Sequence, residues 1–291
     1  MTTLHPTSVV EETPVLTSDA PLVLPFGDPR CQQVELTGGK GASLATMTAE
    51  GLPVPPGFVI TSTAFSAAVD SDALREAMRR GDVEAARALV AAAQPPRELI
   101  EAQYAGLTGL VAVRSSACAE DSAGASYAGQ QETFLNTDGL ESVLHYVVEC
   151  WLSFFTDRAV WYRKEKGSLD DVAMAVVVQQ MIDSQKSGVM FTVDPVHGRK
   201  DRIVVEAARG LGEAVVSGET TPDNYTLSRA GEVKKSKIVD AERVLSDDEC
   251  VALAQMGLKL AGLHGQPQDI EWAFDADGDL YLLQSRPITT I

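Results

Sequence analysis

Two rhythms of apolar and polar positions run along this chain. Between Asp72 and Ala93 apolar residues recur at helical spacing, broken near Gly81-Asp82, which predicts two amphipathic helices. Leu110 to Val113 reads as a short strand delivering Arg114 at its end. A long helical stretch follows from about Leu140 to Lys166, carrying Trp151, Phe154, Phe155, Trp161 and Tyr162. At that spacing the aromatics read as core rather than as a ligand platform. Val172 to Ile182, Ser187 to Val193 and Arg202 to Ala207 read as strands, the first a buried valine run. Ser246-Asp247-Asp248-Glu249 looks like an N-cap and acidic first turn for a helix reaching about His264. The last segment predicts a hairpin. Strands and helices mix without regular alternation, which favours an α+β, two-lobed fold over a doubly wound sheet. Residues 1–22, rich in Thr, Pro and Glu and without periodicity, read as a flexible leader; the folded domain is expected over 23–291.

Charge narrows the function. A length of 291 residues suits one large two-lobed domain, and the formal charge of −17 argues against nucleic-acid binding and against docking on anionic membranes. In so acidic a chain, cations inside glycine-rich segments are informative. No apolar run reaches the roughly 18 residues that span a bilayer, and the first residues lack the pattern of a secretory signal. Cys31, Cys118, Cys150 and Cys250 are scattered without metal-type spacing, so a reduced, cytoplasmic protein is expected. None of the four histidines lies in a pattern suited to accepting a phosphoryl group, and no nucleophile–histidine pair can be assembled.

Three constellations carry candidate chemistry. In Thr37-Gly38-Gly39-Lys40-Gly41-Ala42-Ser43 the glycines let backbone N–H groups approach phosphate oxygens, the following helix offers its N-terminus, and Lys40 adds a movable cation. The spacing is not that of a Walker A loop, and a plain Gly-Gly turn before a helix explains the segment equally. In Val113-Arg114-Ser115-Ser116-Ala117, Arg114 suits a guanidinium fork aimed at phosphate, or a salt-bridged surface arginine. The small, polar run from Gly124 to Thr133 is suited to a mobile lid or an ordinary loop.

The third constellation is the C-terminal hairpin. With Asp277-Gly278 as a two-residue turn, counting outward places Glu271 opposite Gln284 and Asp269 opposite Arg286, all on one face. The two carboxylates and the amide oxygen can coordinate Mg²⁺, with the guanidinium holding phosphate oxygens beside it. Surface salt bridges are the alternative, and a single bulge would spoil the register. The buried strand ending in Val176-Val177-Val178-Gln179-Gln180-Met181-Ile182 offers exposed backbone that can read an adenine edge, and Gly210-Leu211-Gly212-Glu213 resembles another tight backbone approach; either serves equally as plain punctuation.

Taken in order, these segments resemble the N-terminal nucleotide-binding domain of the phosphoenolpyruvate synthase, pyruvate phosphate dikinase and rifampin phosphotransferase family. The resemblance runs from about Leu24 to Thr290 and adds Gly51-Leu52-Pro53-Val54-Pro55-Pro56-Gly57-Phe58, Gly129-Gln130-Gln131-Glu132-Thr133, Ser187-Gly188-Val189-Met190-Phe191-Thr192 and Gln284-Ser285-Arg286-Pro287. It implies an ATP-grasp-like fold with ATP between two lobes. Lys40, Arg114 and Arg286 would then hold phosphates, Gly129 and Thr133 would lie in the lid, and Gln180, Met181 and Ile182 would border adenine. Glu271 and Gln284 would ligate Mg²⁺ with Asp269 nearby.

The resemblance further implies transfer of the ATP β-phosphoryl to a histidine on a swivelling domain or separate subunit, giving AMP and phosphate. From there a small acceptor bound on that partner (a phenol, pyruvate or an antibiotic hydroxyl) is phosphorylated. Family members normally continue past the position of Ile291, so the chain is expected to be either an excised domain or one subunit of a split enzyme, as in the aryl phosphate synthases, inactive without its histidine-bearing partner. An ATP-grasp carboxylate ligase and a non-catalytic nucleotide sensor are the competing expectations.

Overall fold

The computed structural model describes residues 20–118, 132–156, 174–211 and 220–289. Most of the proposed leader, Gly129 with the greater part of the lid, Trp161, Tyr162, Gly212 and Glu213 lie outside those residues. The described chain folds around two antiparallel sheets. The first has the order β1 (Val23–Pro25), β2 (Gly57–Ile60), β5 (Met174–Gln180), β3 (Val111–Ala117), β4 (Thr133–Thr137). The second runs β11 (Leu280–Pro287), β10 (Gln268–Phe274), β6 (Lys186–Phe191), β7 (Arg202–Arg209), β8 (Asp223–Ser228), β9 (Val233–Lys237). The chain passes from one to the other through the five residues between β5 and β6. Helices and antiparallel strands are mixed, so the fold class is the expected α+β.

Each sheet is two-faced because successive residues of a strand point to opposite sides. One face of the first sheet, with Val111, Val113, Val176 and Val178, packs into an apolar core with α2 (Ser62–Ala68), α3 (Ser71–Arg80), α4 (Val83–Ala91), α5 (Arg97–Tyr104) and α6 (Leu140–Ser153). The break between α3 and α4 is local chemistry. Gly81 ends α3 in the left-handed region at φ +71°, and the Asp82 side chain accepts from the Ala85 amide to start α4. The aromatic stretch is interrupted: α6 ends at Ser153, Phe154 and Phe155 turn back into the core, and the rest of the stretch to Lys166 lies outside the described residues from residue 157 on. Trp151 and Phe65 pack edge to face with centroids 5.5 Å apart.

The second sheet buries Ile270, Trp272, Met190, Val205 and Tyr225 in a core with α7 (Asp247–His264). Ser246 and Glu249 form a full capping box at the start of α7, as its sequence predicts. The alternating partners Asp269 and Glu271 lie on the opposite, polar face. Helix α1 (Val34–Ala49) lies against β3 and β5 and also touches β11, so it bridges the sheets. Among the described residues no helix is long and apolar enough to cross a membrane. The four cysteines are free thiols, three of them buried. Burial pushes the Cys31 thiol up to about 12 and Cys250 up to about 11, which leaves them protonated and unreactive at neutral pH.

Candidate functional site

The glycine segment forms a kink rather than a loop before a helix. Residues 34–37 make a first turn, Gly38 breaks it at φ +69° and ψ 170°, and the helix resumes at Gly39. A Cβ at Gly38 would lie 2.3 Å from Ser116 Oγ, so no other residue fits without displacing β3. Ser116 secures the contact, its hydroxyl donating to the Thr37 carbonyl at 2.8 Å and accepting from the Gly41 amide at 3.3 Å. Lys40 then reaches over β3, where Nζ donates to the Ser115 carbonyl at 3.1 Å. Further along α1, Ser43 Oγ donates to the Ser285 carbonyl at 2.7 Å and docks the helix on β11. The two serines after Arg114 thus hold the glycine kink and the Glu132 backbone, through Ser115 Oγ and the Glu132 amide at 3.0 Å.

Arg114 stands in the middle of β3, not at its end, paired with Thr133 on one side and Val177 on the other. It crosses from the first sheet to the second. Nη2 donates to Glu271 Oε2 and to Gln284 Oε1, both at 2.9 Å, and Nη1 donates to the Leu283 carbonyl at 3.0 Å. The pair is well screened from water, with the Arg114 side chain 10% and the Glu271 side chain 25% exposed. The Gln284 amide closes the network by donating to Glu271 Oε1 at 3.1 Å.

The hairpin register is as counted from the sequence, Glu271 opposite Gln284 and Asp269 opposite Arg286, but by a different route. The turn is one residue longer than the two-residue loop expected. Asp275 and Asp279 close it, and Gly278 sits at φ +86°. That extra residue shifts the pairing to Trp272 opposite Leu282, and a bulge at Leu283 shifts it back. Because Leu283 is out of the ladder, its carbonyl is available to Arg114. The bulge feared as a spoiler of the register therefore builds part of the site.

At the outer end of the hairpin, Arg286 holds Asp269 Oδ2 through Nε and Nη2, both at 2.8 Å. Burial pushes the Asp269 carboxyl above the usual carboxylate range, the Arg286 guanidinium pulls it back, and the neighbouring Glu271 charge adds to the rise. At the far end of β5, Gln180 Oε1 accepts from the Thr108 amide at 3.0 Å and from its hydroxyl at 3.2 Å. The Met181 amide donates to the Leu110 carbonyl at 2.9 Å, and Met181 Sδ accepts from the Asn136 amide at 3.0 Å. Gln180, Met181 and Ile182 lie where the chain leaves the first sheet for the second. Gln180 pairs with Val111, three residues along β3 from Arg114, about 10 Å of strand.

The structure thus brings Lys40, Arg114, Thr133, Asp269, Glu271, Gln284 and Arg286 to facing parts of α1, β3, β4, β10 and β11, with Gln180–Ile182 at the junction. Gly129 lies outside the described residues. Sequence reasoning missed Ser43, Ser115 and the Leu283 carbonyl as positioning groups. Only the Arg-Ser-Ser run hinted at them.

The Pyruvate phosphate dikinase, AMP/ATP-binding domain family model matches residues 34–243 and 231–291. The chain belongs to that family. Among curated relatives it is 42% identical to a probable phosphoenolpyruvate synthase of Methanothermobacter thermautotrophicus, over 89% of this chain and 44% of that protein. It is 40% identical to a rifampicin phosphotransferase of Streptomyces sviceus, over 89% of this chain and 35% of that one. It is 36% identical to the phosphoenolpyruvate synthase of Pyrococcus furiosus, over 89% and 42%. The chain therefore spans less than half the length of these family members. Among solved structures it is similar to the ADP complex of N5-carboxyaminoimidazole ribonucleotide synthetase, at 11% identity and a TM-score of 0.38, over 87% of this chain and 46% of that one. A TM-score of that size adds nothing to the family assignment.

Proposed function

We propose that this domain, 23–291, binds Mg²⁺–ATP in an ATP-grasp-like cleft between the two sheets and transfers the β-phosphoryl to a histidine on a swivelling domain or separate subunit, leaving AMP and phosphate. The observation that carries this reading is Arg114, a buried guanidinium joining the first sheet to a carboxylate and an amide of the second, in a chain of this family. Lys40, Arg114 and Arg286 supply the cations for the phosphates, and Thr133 lies beside Arg114 on the same face. Gln180, Met181 and Ile182 offer their edge of backbone to adenine, and by the family resemblance Gly129 would belong to a lid over the phosphates.

The donor set fits a hard cation. Among the described residues no group of three or more His, Cys, Asp and Glu side chains is arranged to hold a metal. Mg²⁺, however, takes one or two carboxylates and completes its shell with water and substrate phosphates. Glu271 and Gln284 provide hard oxygens for the proposed site, with Asp269 two residues along the same face of β10. Bound there, Mg²⁺ would neutralise phosphate charge. The protein's own part is positioning. Ser43 and Ser116 fix helix α1 and the glycine kink that together carry Lys40. The histidine-bearing partner and the small acceptor bound on it (a phenol, as for an aryl phosphate synthase, pyruvate or an antibiotic hydroxyl) complete the reaction, and without that partner the domain is inactive. The setting is the cytoplasm.

Incubation with Mg²⁺ and ATP labelled at either the β- or γ-phosphorus, together with a cellular extract, tests this reading. Acid-labile β-label on a second polypeptide, or on a histidine domain fused to this one, is expected together with AMP. ADP as the nucleotide product, with no β-label on protein, would favour a carboxylate ligase. ATP binding without any turnover would favour a sensor.

A further inference from the structure

We propose that Arg114 and the divalent cation are mutually exclusive partners of Glu271 and Gln284, so that metal enters the site as the guanidinium passes to the nucleotide phosphates. The inference rests on the ligand assignment made above for Glu271 and Gln284.

Three observations support it. The Arg114 guanidinium occupies the same oxygens that the metal would need, Glu271 Oε2 and Gln284 Oε1, each at 2.9 Å. A cation about 2.1 Å from those atoms would stand within about 5 Å of the guanidinium. With the Arg114 side chain only 10% exposed, water screens little of that repulsion. Moreover, Gln284 turns its other amide atom, the donor Nε2, toward Glu271, which makes its single acceptor the atom given to Arg114. Finally, Arg114 is incompletely satisfied where it stands: its Nε–H is buried without a hydrogen-bond partner. A phosphate accepts two parallel N–H bonds from a guanidinium and answers that deficit. Phosphate also supplies the negative charge that lets a metal and Arg114 share the cleft.

Metal and nucleotide should therefore bind with positive coupling, and Arg114 should be its source. An arginine acting only as a phosphate contact would weaken nucleotide binding when removed and leave metal binding untouched. An arginine in exchange with the metal would, when removed, strengthen metal binding in the absence of nucleotide.

The test is Mn²⁺ binding followed by electron paramagnetic resonance on the chain without nucleotide, and again with a non-hydrolysable ATP analogue. Arg114→Ala is expected to bind Mn²⁺ alone at least about tenfold more tightly than the unmodified chain. The analogue should tighten Mn²⁺ much less in the variant than in the unmodified chain. Arg114→Gln, which keeps the volume and a neutral donor, serves if the alanine variant does not fold. Equal or weaker nucleotide-free Mn²⁺ binding in the folded variant overturns the exchange. If Glu271→Ala abolishes Mn²⁺ binding in both backgrounds, the ligand assignment survives that failure. If Glu271→Ala retains Mn²⁺, the ligand assignment fails and the exchange with it.

Discussion

Two carboxylates of the second sheet, the buried Asp223 on β8 and the half-buried Asp269 on β10, sit in opposite electrostatic situations. Asp223 is 3% exposed and collects three donors: the Val239 amide at 2.8 Å, the Val244 amide at 2.9 Å and the Tyr225 hydroxyl at 2.8 Å. Burial alone would raise its pKa, but the Val239 and Val244 amides, with Tyr225, hold it below the usual range. Asp269 has one cationic partner, Arg286, whose own side chain is 62% exposed, and burial wins over that pair. Asp223 is spent on structure, tying the segment after β9 onto the sheet. Asp269 accepts through Oδ2 from the more exposed Arg286. The comparison separates a carboxylate that the fold consumes from one that the proposed site would use.

The sharpest break of that contrast is Asp223→Ala. It leaves two amides and a hydroxyl buried without an acceptor, and a loss of about 3 kcal/mol or more is expected in chemical denaturation. Nucleotide affinity of the folded fraction should not change, and a change would place Asp223 in the site. Asp269→Asn is the converse and smaller case. It should leave stability equal or slightly higher at neutral pH, because an uncomfortable charge is removed, while weakening Mg²⁺–ATP binding by about tenfold. Calorimetric titration reads the second effect. Unaltered affinity would return the Asp269–Arg286 pair to a surface salt bridge.

The smallest effect is in the acid limb of stability. A depressed pKa in the folded state means that Asp223 contributes stability above the unfolded value of about 3.9, lost as pH falls through the folded value. Asp269 has the opposite sign: its folded pKa is raised, so stability falls as pH rises through the window above about 3.9. Denaturation midpoints measured from about pH 2 to about pH 6 should show a shallower acid loss in Asp223→Asn and a steeper net rise with pH in Asp269→Asn. Identical profiles would mean that neither carboxylate titrates differently on folding.

Local elements were legible where a single side chain decides them. Gly81-Asp82 divides α3 from α4, and Ser246 with Glu249 starts α7, because caps act over three or four residues. The pairing of Glu271 with Gln284 was also legible, although two one-residue departures, at the turn and at Leu283, had to cancel for the count to hold. Contacts across the fold were not legible. Ser43 meets Ser285 across 242 positions and Arg114 meets Leu283 across 169, and no periodicity encodes such meetings. Arg114 was placed at a strand end because Ser115 and Ser116 looked like loop residues. Both are buried in β3, where their hydroxyls serve neighbouring backbone. The aromatic pattern beyond Ser153 suggested more helix because Phe154 and Phe155 are apolar whether they continue α6 or fold back from it.

The second sheet has one more feature with a consequence for the molecule's company. Its β11 border lies against the Pro53 carbonyl and α1, which leaves β9 as the other border. In an acidic chain, that strand reads Val-Lys-Lys-Ser-Lys, with Lys234, Lys235 and Lys237 exposed along five residues. A second copy approaching to extend the sheet strand against strand would bring its own lysines against these. Like charges at that distance guard the border against runaway stacking, so a crowded solution of this domain should resist fibrous aggregation through β9.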